Sequence, residues 1–289
     1  MPAVRVGDVG LYYEEMGSGE PVVLVHGVPT DHRAWAAQMG PLSAEHRALA
    51  VSRRYATPNA RQGDLLDSTV QNNAADVLGL IRDLSISPVH LIGHSYGGFV
   101  SAIIAEEHPE VVRSLVLVEP AVSSMLLPDP ESRGQMLALL IRSPSVALAA
   151  RRFQAKSLYP SLRSLDGGDI QKAVEQIVDG LQDRPGAFDQ LPREVREMML
   201  ENGRTVGELR TRFPRFTRVE ASRVACETLI VSGESSPLWL RQIAAMLGRS
   251  IPKARLETIP GTAHFPHLEN PQEFNRRLLV FLKGNGKPR

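Results

Sequence analysis

Val89-His90-Leu91-Ile92-Gly93-His94-Ser95-Tyr96-Gly97-Gly98 reads as a buried apolar strand running, with no linker, into a glycine-flanked serine. Phe99 to His108 then reads as a helix, stopped by Pro109. A strand that turns at once into a helix must bend sharply, and glycines around the bend let neighbouring backbone pass close by. The serine of such a G-x-S-x-G stands at a helix N-terminus, where free N–H groups and the dipole favour developing negative charge. A glycine-rich turn with an incidental serine is the plain alternative. Strand before and helix after are both in place, so the nucleophile reading of Ser95 is the stronger.

Outward from this turn the chain alternates. Val4-Arg5-Val6 and Leu11 to Met16 predict a strand pair turning at Gly7-Asp8-Val9-Gly10, and Val22 to Val25 predicts a strand buried on both faces. Ala48 to Val51 is a weaker strand, and Val70 to Leu84 has helical spacing at Val77, Leu80, Ile81 and Leu84. Leu115 to Val118 is a strand stopped by Pro120. From 121 to about 222 no buried strand is legible, only helical patterns broken by Pro128, Pro130, Pro144, Pro160, Gly167-Gly168, Pro185, Pro192 and Gly203. Strand and helix resume at Thr228–Val231, Pro237–Leu247, Ala254–Ile259 and Pro271–Leu282, the last opened by Asn270 and Pro271. The tail from Gly284 is expected to fray. This order predicts an α/β protein with a mostly parallel sheet covered on both faces. Residues 1–120 and 223–289 form its core, and 121–222 is an insertion between two strands. Ligands of such sheets bind at the carboxyl ends of the strands.

Two further strand ends carry chemistry. His26-Gly27-Val28-Pro29 follows Val22 to Val25, and the N–H groups of Val28 and Tyr96 are the natural pair to hold an oxyanion. His26 reads as a brace for this loop rather than a base. Pro260-Gly261-Thr262-Ala263-His264 follows the last strand, where a general base must sit to reach a serine on a neighbouring strand. His264 is preferred over its neighbour His267 because it lies nearer the strand's carboxyl end.

Together these three motifs, in this order, resemble the α/β-hydrolase fold over essentially the whole chain apart from the inserted block. The resemblance implies an eight-stranded sheet, a helical lid at 121–222 and a Ser–acid–His triad. The H-G-x-P motif looks like the epoxide hydrolase and haloalkane dehalogenase branch, whose nucleophile is an aspartate. Ser95 points instead to acyl-enzyme chemistry on esters, lactones, thioesters or amides. The acid departs from the family pattern G-E-x-D-P: Gly233-Glu234-Ser235-Ser236-Pro237 puts Ser236 where an aspartate is expected. Some family members, certain dehalogenases and a lactonase group acting on zearalenone among them, carry a glutamate at the end of the strand after the nucleophile helix. Glu119 occupies that position here, and Ser95…Glu119…His264 keeps the nucleophile–acid–base order. Glu234 is offset by two positions and is the weaker candidate. A Ser–His dyad, or a non-hydrolytic receptor or cyclase using the same pocket, stands as the alternative, with C–C bond hydrolysis beside a ketone as a hydrolytic variant.

The remaining features narrow the class. Of 289 residues, 33 are Lys or Arg and 32 are Asp or Glu, so a formal charge of +1 offers no field for nucleic acid or an anionic membrane. A single cysteine, Cys226, excludes an internal disulfide. The longest apolar runs are too short to span a bilayer, and Met1 to Gly10 shows no secretory signal, so a cytoplasmic location is expected. The eight histidines are scattered along the chain, so no metal is expected, and no cofactor either. Arg53 or Arg54, where the family often has Asp-x-x-Gly-x-Gly, could clamp a substrate carboxylate, although an ion-pair role is favoured. The arginines from Arg204 to Arg223 read as a solvated lid face, or as arginines packing beside Phe213 and Phe216, rather than as a basic patch for an anionic ligand. Leu137 to Ile141, with Val146, Leu148 and Phe153, predict an apolar lid face turned toward core or pocket. The partner expected is a small-molecule substrate, and a homo-oligomer stays open.

Overall fold

Eight strands make one sheet in the order β1-β2-β4-β3-β5-β6-β7-β8. They are β1 (Ala3–Val6), β2 (Val9–Met16), β3 (Glu20–Val25), β4 (His46–Val51), β5 (Val89–His94), β6 (Val112–Val118), β7 (Glu227–Gly233) and β8 (Ala254–Ile259). β1–β2 and β2–β4 pair antiparallel, and every pairing from β4 to β8 is parallel. The computed structural model describes residues 3–7, 9–59, 65–129 and 132–285. The expected turn residue Asp8, Pro130 and the tail from Gly286 lie outside them.

Alternation of side chains sorts the central strands onto two cores. Val23, Val25, Leu91, Leu115 and Leu117 face one side, and Val22, Leu24, Ile92, Val116 and Val118 face the other. That is why these strands read as continuous apolar runs: both faces are covered. α1 (Ala36–Ser43) and α12 (Pro271–Asn285) pack on the second side, while α2 (Val70–Asp83), α3 (Tyr96–Glu107) and α10 (Leu238–Ser250) pack on the first. The edge strand β8 keeps Arg255 and Leu256 exposed, since it is paired on one edge only.

Between β6 and β7 the described residues hold no strand. The segment contains α4 (Arg133–Arg142), α5 (Pro144–Phe153), α6 (Tyr159–Asp166), α7 (Ile170–Leu181), α8 (Arg193–Glu201), a 3-10 stretch (Gly203–Arg210) and α9 (Arg218–Ala221). α7 buries Ala173, Val174, Ile177, Val178 and Leu181, which makes it the segment's spine. The apolar face expected on 137–153 is divided rather than continuous. Val146 is buried and Phe153 packs against the core, but Leu137, Leu140, Ile141 and Leu148 face outward. The reason is position: α4 buries no residue and lies as an outer layer on α5. No helix among the described residues is long and apolar enough to cross a membrane.

Candidate active site

Ser95 sits between β5 and α3 with φ 51° and ψ −115°, a left-handed conformation that a serine adopts only when its surroundings impose it. The impositions are local. A Cβ on Gly97 would lie 2.3 Å from the Val25 carbonyl oxygen, and one on Gly93 would lie 2.3 Å from the Gly97 oxygen. The Ser95 N–H donates to the Val118 carbonyl at 2.9 Å, and its carbonyl accepts from Phe99 and Ala121. The bend is therefore clamped by the end of β6 as well as by α3.

The loop after β8 carries His264 to this serine. Glu269, in the short α11 (Pro266–Glu269), accepts from the N–H groups of Ala263 and Phe265 and so fixes the loop on both sides of the histidine. His264 Nε2 lies 3.0 Å from Ser95 Oγ, and Nδ1 lies 3.4 Å from Glu119 Oε2. With the proton on Nδ1, assigned from this network, Nε2 is free to accept from the serine hydroxyl. Glu119 follows β6 with φ 47°, its N–H donating to Val231. Its Oε1 accepts from Ser232 Oγ at 2.8 Å and from the Gly233 N–H at 2.6 Å. These donors come from the neighbouring strand β7, and they leave Oε2 to the histidine. All three side chains are buried: Ser95 is 6% exposed, Glu119 1% and His264 0%. Little water screens the line of charge and hydrogen bonds that joins them.

The alternatives for acid and base fall elsewhere. Ser236 is buried, and its Oγ has no hydrogen-bond partner among the described residues. Glu234 is exposed and its Oε2 accepts from the Gly261 N–H. His26 donates from Nδ1 to the Gly27 carbonyl at 2.8 Å and accepts at Nε2 from the Arg53 N–H at 3.0 Å. Burial, reinforced by the Arg53 charge, pushes it down to about 3. With both nitrogens engaged, it braces the loop and has no lone pair for a serine proton. His267 stacks on Trp35, and burial lowers it to about 3 as well.

Gly27 packs against the serine: a Cβ there would stand 3.0 Å from Ser95 Cβ. The adjoining Val28 N–H and the Tyr96 N–H, at the start of α3, have no acceptor within the described residues. The loop after β4 is a different matter from what its arginines allowed. Arg53 pairs with Glu208 at 2.7 Å, both side chains fully buried, and Arg54 grips Asp76 through two bonds of 2.7 and 2.8 Å. Neither guanidinium is free to clamp a substrate, so that option gives way to the ion-pair role. Glu208 itself, 155 residues further on, left no signal in the sequence, because a buried acid far from its partner looks like any surface acid. Arg210 and Arg223 pair with Asp166 and Glu106 on the surface, as a solvated face would. Among the described residues no cluster of three His, Cys, Asp or Glu could hold a metal.

A sheet of this order with a serine bend, a histidine loop and a strand-end carboxylate defines the α/β hydrolases as a class. Residues 22–277 match the model of the alpha/beta hydrolase family, and the chain belongs to it. It is similar to the serine hydrolase BPHL of Mus musculus, 28% identical over 285 residues, covering 97% of this chain and 85% of that protein. It is also similar to the 2-hydroxy-6-oxo-6-phenylhexa-2,4-dienoate hydrolase of Comamonas testosteroni, 25% identical over 287 residues, covering 96% and 93%. Among solved structures, a thermophilic esterase from Thermogutta terrifontis superposes with a TM-score of 0.71 at 21% identity, covering 99% of this chain and 100% of that one. At that identity the likeness speaks for the fold.

Proposed function

We propose that this α/β hydrolase is a serine hydrolase that cleaves a small-molecule ester or lactone through an acyl-enzyme on Ser95. The observation that carries the reading is the hydrogen-bonded line Ser95 Oγ–His264 Nε2, His264 Nδ1–Glu119 Oε2. Ser95 Oγ attacks the acyl carbon as its proton passes to His264 Nε2. The N–H groups of Val28 and Tyr96 hold the oxyanion, and the imidazolium that forms is stabilised by the Glu119 carboxylate. The protonated histidine then gives its proton to the leaving alkoxide. Water, deprotonated by His264, attacks the acyl carbon, and His264 passes that proton to Ser95 Oγ as the serine ester bond breaks and the acid leaves. Residues 121–222 serve as the lid, as the absence of strands among their described residues and their place between β6 and β7 support. An ester or lactone is favoured because its leaving group needs the least protonation. The relation to the Comamonas enzyme, named as the hydrolase of an oxo-phenyl-dienoate whose name contains a ketone and no ester, supports C–C cleavage beside a ketone as the second reading.

A panel of nitrophenyl esters, lactones and amides, each run with wild type and Ser95→Ala, tests this. Turnover of an ester or lactone that vanishes in Ser95→Ala is expected. Activity on no member, or activity that survives the substitution, would overturn the reading.

A further inference from the structure

Arg53 touches more of the site than its ion pair requires. Its Nε donates to the His26 carbonyl at 3.1 Å, and Nη2 donates to the Gly27 carbonyl at 3.3 Å. Nη1 donates to Glu208 Oε2 at 2.7 Å and to Asn73 Oδ1 at 3.3 Å, and the guanidinium lies 4.7 Å from the centre of the Tyr96 ring. The Gly27 carbonyl is half of a peptide unit whose other half is the Val28 N–H. In a trans peptide these two point in opposite directions, so a cation on the carbonyl side both turns the N–H away from itself and polarises it. His26 Nδ1 adds a second donor to the same oxygen, and Thr30 Oγ1 a third at 3.1 Å. Tyr96, the other oxyanion residue, is held by the same cation from below and by its hydroxyl, which donates to the Ser68 carbonyl at 2.6 Å. Ser68 Oγ in turn donates to Glu208 Oε1 at 3.0 Å.

The geometry points to Arg53 as a positioning residue for the oxyanion hole, held in place by Glu208 from the helical segment. It rests on the reading of Ser95 as an acylated nucleophile with Val28 and Tyr96 as donors. Arg53 never meets the substrate. It sets the direction and polarity of the Gly27–Val28 peptide and seats Tyr96, and Glu208 makes that setting depend on the 203–210 stretch being docked. A purely structural ion pair predicts something else: it can be exchanged for apolar side chains of similar volume without kinetic consequence once the fold is intact.

The test uses full-length wild type, Arg53→Lys, and the apolar exchange Arg53→Met/Glu208→Leu, the last chosen because it removes both charges and keeps the fold. Thermal unfolding and circular dichroism establish that each is folded. Two rates are then read: phosphonylation of Ser95 by a fluorophosphonate, followed by mass spectrometry, and kcat and KM on a nitrophenyl ester and its thionoester, whose sulfur is a poor oxyanion acceptor. For the folded Met/Leu variant we expect kcat on the ester to fall by about tenfold or more, a fraction of the 10²–10³ lost when a donor is deleted outright. KM should change little, the ester-to-thionoester ratio should shrink, and Arg53→Lys should recover part of the loss. A folded Met/Leu variant with wild-type phosphonylation rate and an unchanged ester-to-thionoester ratio would overturn the inference while leaving the nucleophile reading intact. Wild type that is not labelled at Ser95 would overturn both.

Discussion

Glu119 carries the least obvious assignment, and its environment argues for it. Two β7 donors occupy one carboxylate oxygen, and the other faces His264. Meanwhile Ser236, at the position where the family pattern has its acid, keeps a buried hydroxyl without a partner among the described residues. The turn bearing Ser236 is tied to the His264 loop by the Ser235 N–H, which donates to the Thr262 carbonyl at 2.8 Å. Glu119→Gln keeps size and leaves the histidine without its charge. It should lower kcat by about 10⁴, the loss seen when a triad carboxylate becomes an amide, with circular dichroism unchanged. Adding Ser236→Asp should recover at least about tenfold. Wild-type turnover in Glu119→Gln would show that Glu119 is a structural carboxylate. The pairing of a missing aspartate with a strand-end glutamate was visible in the sequence. What was not visible was the left-handed backbone at Glu119 that lets its side chain turn back under β7.

At the scale of elements, the legible parts were those whose local pattern matches their final surroundings. The buried strands were continuous apolar runs, and the bend at Ser95 was announced by glycines that the structure cannot do without. Gly97→Ala would push a methyl carbon within 2.3–2.4 Å of two backbone oxygens on the β3 side, where no side chain can yield. Urea unfolding should show a loss of about 1–3 kcal/mol, and ester turnover should fall with it. A variant as stable and active as wild type would mean that the bend is looser than it stands here. α1 escaped the sequence reading because Gly40 and Pro41 lie inside it and lower its helical propensity. It forms nevertheless, since Met39 and Leu42 are buried on the sheet and Gln38 Nε2 donates to the His267 carbonyl and to Asn275 Oδ1. That packing is set by α12, more than two hundred residues away, and no window of sequence contains it.

Over the whole molecule, polar contacts at long range hold the helical segment to the sheet, and these were the least readable. Asn202 donates to Asp31 Oδ2 at 2.7 Å and accepts from the Thr57 N–H at 2.8 Å, while Glu208 meets Arg53. Burial also gives the fold a pH dependence of definite sign. His26 and His267 are neutral in the folded chain down to about 3, whereas an unfolded histidine takes its proton near 6.5. Their contribution is therefore fully present above about pH 6.5 and is lost as the pH falls from there toward 3. His267 makes no hydrogen bond through its ring to any described residue, so His267→Phe removes the titration and keeps the stacking on Trp35. Between pH 6 and pH 4 its stability should fall less steeply than that of wild type, by up to about 1.4 kcal/mol per pH unit. Parallel slopes would contradict the buried, neutral state of this ring.

The central claim is that Ser95, activated by His264 and Glu119, becomes acylated. Mixing wild type with an excess of nitrophenyl ester, quenching in acid within the first turnovers and mapping the modified peptide tests this directly. The account requires a burst of nitrophenol and an acyl adduct on Ser95, both absent in Ser95→Ala and strongly slowed in Glu119→Gln. Turnover with no adduct, or an adduct on any other residue, would contradict it.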